Sequence, residues 1–386
     1  MRIVLNSHLD DPGTRACITG LYRRLRAIDI EATLNDWDHY DRYDAAVFMA
    51  YDHDMDAARR QNPSIRVALA DPKQRDQTQV AAAHAADFLI VTGVEQRDVF
   101  YPHNRNVLAF TMITPMPVVQ RVHVDKDRIV IGYHGNRVHL ESMCTSVTPA
   151  LNELGRRRPV ELWAVYNIEV HGRAQIGVPD PTLVKTRHIQ WTPDVEPGSD
   201  VSRVFYSDLR HADIGIVPNA LPVRNRLGGL AVTAHEEAEF AYEPFDHLLR
   251  FKASTNAARV YPFAQFGIPV VGDFVPSAGQ LIRDGESGFI VSSPSGWFEA
   301  LDTLAASSDL RNRSAAALRA SVDAECDRQL RQFVAMCAGD LKSGEPPFFD
   351  RASVDEERAQ ADRYERPRGP GGLRRIQRRL KSVVGR

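Results

Sequence analysis

The sequence predicts an α/β protein of two Rossmann-like domains, each built on a doubly wound parallel sheet. Three observations carry this expectation. Short apolar, β-branched runs alternate with segments that carry apolar residues at helical spacing, the pattern of strand–helix–strand units. The alternation breaks at Thr114-Pro115-Met116-Pro117 and restarts at Arg128. A chain of 386 residues is also long enough for two or three domains with cores of their own.

Taken in order, Arg2 to Leu5 is an apolar run suited to a central parallel strand. Asn6 to Thr14 is a polar loop with a turn at Asp11-Pro12-Gly13, followed by a helix with Ile18, Leu21, Tyr22 and Leu25 on one face. The tip of that loop is expected to face a cleft at the strand's carboxyl end. Strands then read at Asp44–Ala50, Ile65–Ala70, Phe88–Thr92 and Val107–Phe110, with helices at Asp54–Gln61 and Gln77–Ala86. These make residues 1–117 an N-terminal domain, and residues 118–127, which show no clear period, a linker. The second domain, residues 128–340, opens with a strand at Arg128–Tyr133 and the loop His134-Gly135-Asn136-Arg137. Further strands read at Leu162–Val165, His188–Trp191 and Asp213–Pro218, the last preceded by a helix over Val201–His211. Asn219 to Leu249 is a long irregular insertion, in the position of an acceptor loop or lid or simply an elaboration of the surface. From Trp297 the chain reads as helical to about Ala338.

The stretch from Phe251 to Val291 is the most informative. Lys252, Ser254, Thr255 and Asn256 precede Ala257, Ala258 and Arg259. Ser, Thr and Asn are preferred helix N-caps, and small residues with bracketing cations suit an anion held against helix amides. The alternative is a surface cap with two solvated charges. Gly267 to Gly272 gives a helix stop and then a short strand buried on both faces. Asp284-Gly285 and Ser287-Gly288 are turn pairs before a strand at Phe289–Val291.

In order and spacing, Gly267–Val271, Leu281–Phe289 and Trp297–Leu301 resemble three motifs of GT-B glycosyltransferases. These are the G-x-P-V-V, (L/I)-I-x-D-G-x-x-G-F and Trp-x-x-Ala-Leu motifs of the retaining, glycogen-synthase-like group (family 4-like). The resemblance implies two Rossmann-like domains facing a cleft. It also implies transfer of a sugar from a nucleoside-diphosphate sugar to a glycan or lipid-linked acceptor, with no cofactor, in cell-surface polysaccharide assembly. On that reading Lys252, Ser254, Thr255, Asn256 and Arg259, with Gly135 and Arg137, hold the donor diphosphate, and Thr192 and Pro193 lie near the nucleoside. His134 and Asp71 are the catalytic candidates; Asp71 stands where the family often has a cleft histidine. One departure matters. The family usually carries two glutamates eight positions apart, and here their places are held by Ser254 and Pro262. The chain is therefore either a divergent active transferase or a catalytically inactive nucleotide-sugar-binding or scaffold subunit. An epimerase of the same architecture is a further alternative. Asp52-His53-Asp54 matches D-x-D literally but lies beyond a strand that ends at Ala50, so it reads as solvated loop and no metal site is expected. Fixed cations would then neutralise the leaving group.

Charge is unevenly spread. The net charge is −2, yet Arg366 to Arg386 carry seven arginines, one lysine and no acid, so this stretch is +8 and the rest −10. Cys17, Cys144, Cys326 and Cys337 show no C-x-x-C spacing and read as thiols in a reducing compartment. With no signal-like N-terminus and no bilayer-spanning apolar run, a cytoplasmic protein is expected. Residues 341–386 read as a polar linker and a basic tail. At ~100° per residue, Leu373, Ile376, Leu380, Val383 and Val384 fall within an arc of about 100°, opposite Arg374, Arg375, Arg378, Arg379 and Lys381. Such a helix over 373–384 suits an anionic membrane surface at the inner face of the plasma membrane, or docking on the protein itself. No aromatic residues interleave its arginines, so nucleic acid is not expected as a partner.

Overall fold

The structure is a computed structural model and describes residues 1–9, 12–73, 76–113, 116–191, 206–222, 249–251 and 257–346. In the first lobe, strands β1 (Arg2–Asn6), β2 (Glu31–Leu34), β3 (Ala45–Met49), β4 (Arg66–Ala70), β5 (Phe88–Val91) and β6 (Val107–Ala109) form one sheet, ordered β2-β1-β3-β4-β5-β6. Every pairing in it is parallel. Runs such as AAVFM and FLIV are buried along their whole length, because helices cover both faces of the sheet. β2 has no counterpart in the sequence expectations. It is an edge strand, EATL, with only Ala32 buried, so it lacks the apolar run that announces an inner strand.

The second lobe contains β7 (Ile129–His134), β8 (Val160–Tyr166), β9 (Val184–Gln190), β10 (Ile214–Val217), β11 (Ala220–Pro222), β12 (Leu249–Phe251), β13 (Val270–Asp273) and β14 (Gly288–Val291). Its parallel sheet runs β14-β13-β10-β7-β8-β9, and β11 and β12 form a small antiparallel ribbon. Gly267 stops the helix Val260–Gln265 with φ +65°, and Ile268 N–H then reaches back to the Phe263 carbonyl at 2.9 Å. Pro262 sits in the first turn of that helix, where a missing N–H costs nothing. The long helical region after Trp297 is two helices, Pro294–Ala306 and Ser308–Ala338. They are divided at Ser307, whose extended backbone lets its side chain cap Leu310 N–H at 3.1 Å.

Two features join the lobes. The chain around residues 118–127 is held against the second lobe: Arg121 and Lys126 reach the fully buried Asp213 carboxylate at 3.0 and 2.6 Å, and its other oxygen takes Val130 N–H at 2.9 Å. The helix Ser308–Ala338 is shared. Leu318, Val322 and Cys326 belong to the second lobe's core, while Leu330, Phe333 and Cys337 enter the core of the first. Phe333 meets Phe88 and Phe110 with ring centroids 6.0 and 6.1 Å apart. Arg24, buried in the first lobe, donates to the Cys326 carbonyl at 2.7 Å and completes the seam. Among the described residues no helix is long and apolar enough to cross a membrane.

Truncating Phe333 to alanine removes a fully buried ring, and is expected to cost about 3–5 kcal/mol in a urea titration. A change below about 1 kcal/mol would show that the first lobe does not depend on this helix.

Candidate functional site

β7 and β10 are neighbours in the second sheet, yet the chain leaves β7 toward β8 and leaves β10 toward β13, on opposite sides. In open parallel sheets such a switch point leaves a crevice at the strands' carboxyl ends, and ligands bind there. The residues bordering this crevice are His134 at the end of β7 with Gly135 after it, and Pro218 and Asn219 after β10. Arg259 joins them from the short helical turn Ala257–Arg259.

Arg259 is the centre of the arrangement. Its Nη2 donates to the Pro218 carbonyl at 2.8 Å and to Asn219 Oδ1. Asn219 is fixed in turn, since its N–H donates to Asp273 Oδ2 at 2.7 Å, and Trp297 Nε1 donates to Asp273 Oδ1 at 3.1 Å. Asn219, Asp273 and Trp297 are all buried. Burial lowers the Arg259 pKa from its ordinary value, and the Tyr133 hydroxyl and Asp273 carboxylate act in the opposite direction. The guanidinium nonetheless stays charged, as arginine does throughout proteins. Its Nη1 is buried beside the Tyr133 hydroxyl and, like Asn219 Nδ2, has no well-aligned acceptor among the described residues. An unmet buried donor costs about 1–3 kcal/mol, a cost an anionic ligand would relieve. Gly135 leaves room for this group. At φ +145° it takes a conformation that side chains resist, and a Cβ there would lie 3.0 Å from Arg259 Cδ and 3.1 Å from Nη1.

His134 is buried at 5% exposure, and its ring lies 5.2 Å from that of Phe263. Its Nε2 donates to the Arg259 carbonyl at 2.8 Å. Burial pushes its pKa down to about 3. The imidazole is therefore neutral at pH 7 and anchors the turn that carries Arg259, with no proton to supply as an acid. Arg137 lies apart from this cluster. Its Nε pairs with Glu141 at 2.7 Å and its Nη1 donates to the His171 carbonyl, so its guanidinium is engaged in the structure of its own lobe.

In the first lobe, Asp71 directly follows β4 with φ +52°, a left-handed conformation uncommon outside glycine and asparagine. Its carboxylate takes Lys73 Nζ at 2.5 Å and Gln96 Nε2 at 3.3 Å. Gln96 is buried, and its Oε1 also accepts from Thr92 N–H and Oγ1 at 2.9 Å each. The neighbouring Glu95 reaches the other lobe, where its Oε1 accepts the Ser277 N–H at 3.0 Å. Asp71 thus stands beside the joint between lobes. The D-x-D pair is used locally: Asp52 accepts from Ser7 Oγ at 2.8 Å and from His8 N–H at 2.6 Å, and Asp54 caps Ala57 N–H at 3.3 Å.

Sequence reading brought out Arg259 and Gly135 but missed Tyr133, Asn219, Asp273, Glu95 and Gln96. The available signal was a polar residue directly after an apolar run, as at Asn219 and Asp273, which marks the carboxyl end of a strand. Lys252, Ser254, Thr255, Asn256, Thr192 and Pro193 lie outside the described residues.

No protein-family model matches the sequence, and no curated protein matches it. Solved structures do resemble the fold. Sucrose-phosphate synthase from Thermosynechococcus elongatus is similar with a TM-score of 0.53 at 12% identity, over 87% of this chain and 98% of that one. HepE from Anabaena, in complex with UDP, gives 0.50 at 11% identity, over 88% and 100%. TarM gives 0.49 at 8% identity over 76% of this chain, which spans about half of TarM's length, 54%. The likeness is one of fold. The two parallel six-stranded sheets with their flanking helices are the GT-B architecture.

Burial also pushes the pKa of His123 down, to about 4. The unfolded chain binds both histidine protons near pH 6.5, while the native state refuses them. Stability is therefore fully present above about pH 6.5 and falls as the pH drops toward 4, by about 1.4 kcal/mol per pH unit for each group. Unfolding free energies from urea titrations at pH 7.5 and pH 5 should differ by about 2 kcal/mol for each histidine. His134→Asn is expected to flatten the dependence, and an unchanged slope would mean that this imidazole is solvated.

Proposed function

We propose that the protein is a glycosyltransferase. It moves a sugar from a nucleoside-diphosphate sugar to a glycan or lipid-linked acceptor, in the assembly of cell-surface polysaccharide. The observation that carries this reading is a half-buried arginine at the switch point of the second sheet, whose buried Nη1 has no acceptor among the described residues, beside a glycine where any side chain would close the space. Leaving of a nucleoside diphosphate requires that negative charge be met as it develops, and fixed donors aimed at that place do so without reorganising. Arg259 is the leading group for this task, and Gly135 lets the diphosphate approach the backbone. His134 holds the turn that presents the guanidinium. Lys252, Ser254, Thr255 and Asn256 directly precede that turn in the chain and would extend the diphosphate site, and Thr192 and Pro193 would border the nucleoside. HepE, of similar fold, has been solved with UDP, which supports a nucleotide-sugar donor.

On the opposite wall Asp71 is the candidate to orient the acceptor hydroxyl. Its carboxylate is held by Gln96 and Lys73, and a strained backbone at such a position is itself a mark of functional sites. The chemistry assigned here uses fixed protein cations and needs no cofactor. A second reading, a subunit that binds nucleotide sugar without transferring it, draws support from the buried Pro262, which stands where the resembling group has a ribose-gripping glutamate. The basic stretch 373–384 would hold the protein, as a cytoplasmic and peripheral membrane enzyme, at an anionic inner leaflet where lipid-linked acceptors reside. Each basic residue there is worth about 1 kcal/mol.

Arg259→Gln should weaken binding of a nucleoside diphosphate by roughly 1–3 kcal/mol, read by calorimetry. Unchanged affinity would remove Arg259 from the site. A panel of UDP, GDP and dTDP sugars is expected to yield hydrolysis or transfer with at least one donor; binding without either would favour the non-catalytic reading. Removing residues 372–386 should abolish sedimentation with phosphatidylserine vesicles while leaving donor binding intact, and an unaltered partition would discredit the membrane role.

A further inference from the structure

A second cavity, of about 400 Å³, shares no lining residue with the switch-point site. Its floor is the edge strand β6 of the first lobe, and its walls come from the shared helix Ser308–Ala338 and the chain just after it. Four cations line it, Arg97, Arg105, Arg328 and Lys342, against one lining carboxylate, Asp340. Two of these cations are already paired, Arg97 with Asp98 at 2.9 Å and Arg328 with Glu325 at 2.6 Å. Arg105 and Lys342 have no carboxylate partner among the described residues.

The Arg105 side chain and the Lys342 backbone are held in place. Asn106 grips the Lys342 backbone from both sides, accepting its N–H at 2.7 Å and donating to its carbonyl at 3.3 Å. Arg105 Nη1 donates to the Ser343 carbonyl at 3.2 Å, which leaves its buried Nε without an acceptor. Lys342 Nζ and the Arg97 guanidinium stand 5.9 and 5.5 Å from the centre of the Tyr101 ring, which brings both cations to one aromatic side chain. A fixed arginine with an orphan donor, a lysine beside it at the rim and a mixed polar and apolar wall of this size are what a small phosphorylated ligand needs.

We propose that this cavity is a second binding site, for a phosphate monoester of about the size of a hexose phosphate. Arg105 and Lys342 take the phosphate, and Tyr101 and Val107 carry the attached carbon skeleton. The site is built from both lobes. Gln280 comes from the second lobe, three residues after Ser277, and Arg97 lies on the helix whose Glu95 receives the Ser277 N–H. An occupant therefore bridges the joint between lobes.

The test is calorimetric titration of the full chain with glucose 6-phosphate, inorganic phosphate and glucose. Glucose 6-phosphate is expected to bind, inorganic phosphate to bind more weakly, and glucose not at all. Lys342→Ala alone, and Arg105→Gln with Lys342→Ala, should each weaken glucose 6-phosphate at least tenfold, while Arg259→Gln leaves it unchanged. Binding that persists in both variants, absence of binding at millimolar concentration, or displacement of glucose 6-phosphate by UDP in the wild type but not in Arg259→Gln would each overturn the proposal. Because Arg259 and Arg105 are separated in this way, failure of the second site says nothing against the first.

Discussion

The organising constraint of this molecule is a guanidinium buried where two parallel strands part company. A cation taken out of water must find its hydrogen bonds within the protein. Among the described residues Arg259 finds them at the Pro218 carbonyl and the Asn219 side chain, just after β10. Asn219 is itself held by Asp273 at the end of β13, whose carboxylate also accepts from Trp297 in the helix that follows β14. The network is thus closed toward the sheet, and among the described residues two of its buried donors, Arg259 Nη1 and Asn219 Nδ2, have no acceptor, the first beside the open backbone of Gly135. Sheet order, strand ends and helix placement converge on that single geometry.

Sequence made the sheets legible where strands are buried on both faces, because such strands are unbroken apolar runs. AAVFM, RVALA and FLIV could be read directly. EATL could not, since an edge strand with a single buried residue resembles any loop. The helix Val147–Arg157 was likewise passed over, although Val147, Ala150, Leu151 and Leu154 lie at helical spacing and are buried. Gly267 was legible as a stop because its left-handed backbone is a local demand.

The site was legible only in part, for a physical reason. Arg259 and Gly135 announce themselves by residue type and position, but the partners of Arg259 come from strands distant in the chain and meet it only in the folded sheet. His134 shows the limit well. Its place at a strand end was evident, whereas its neutral, buried state depends on Phe263 and on the carbonyl of Arg259, neither of which is near it in sequence. Arg137 is the converse case, a cation near the crevice in sequence whose charge is engaged by Glu141.

The shared helix has an implication for biogenesis. The last strand of the first lobe ends at Ala109, but Leu330, Phe333 and Cys337, which fill the cavity beneath its sheet, arrive only after the second lobe has been made. During synthesis the first lobe must therefore wait with a greasy face uncovered, in the state that chaperones recognise. A first lobe produced by itself would carry the same open face, and its solubility would depend on supplying the helix in trans.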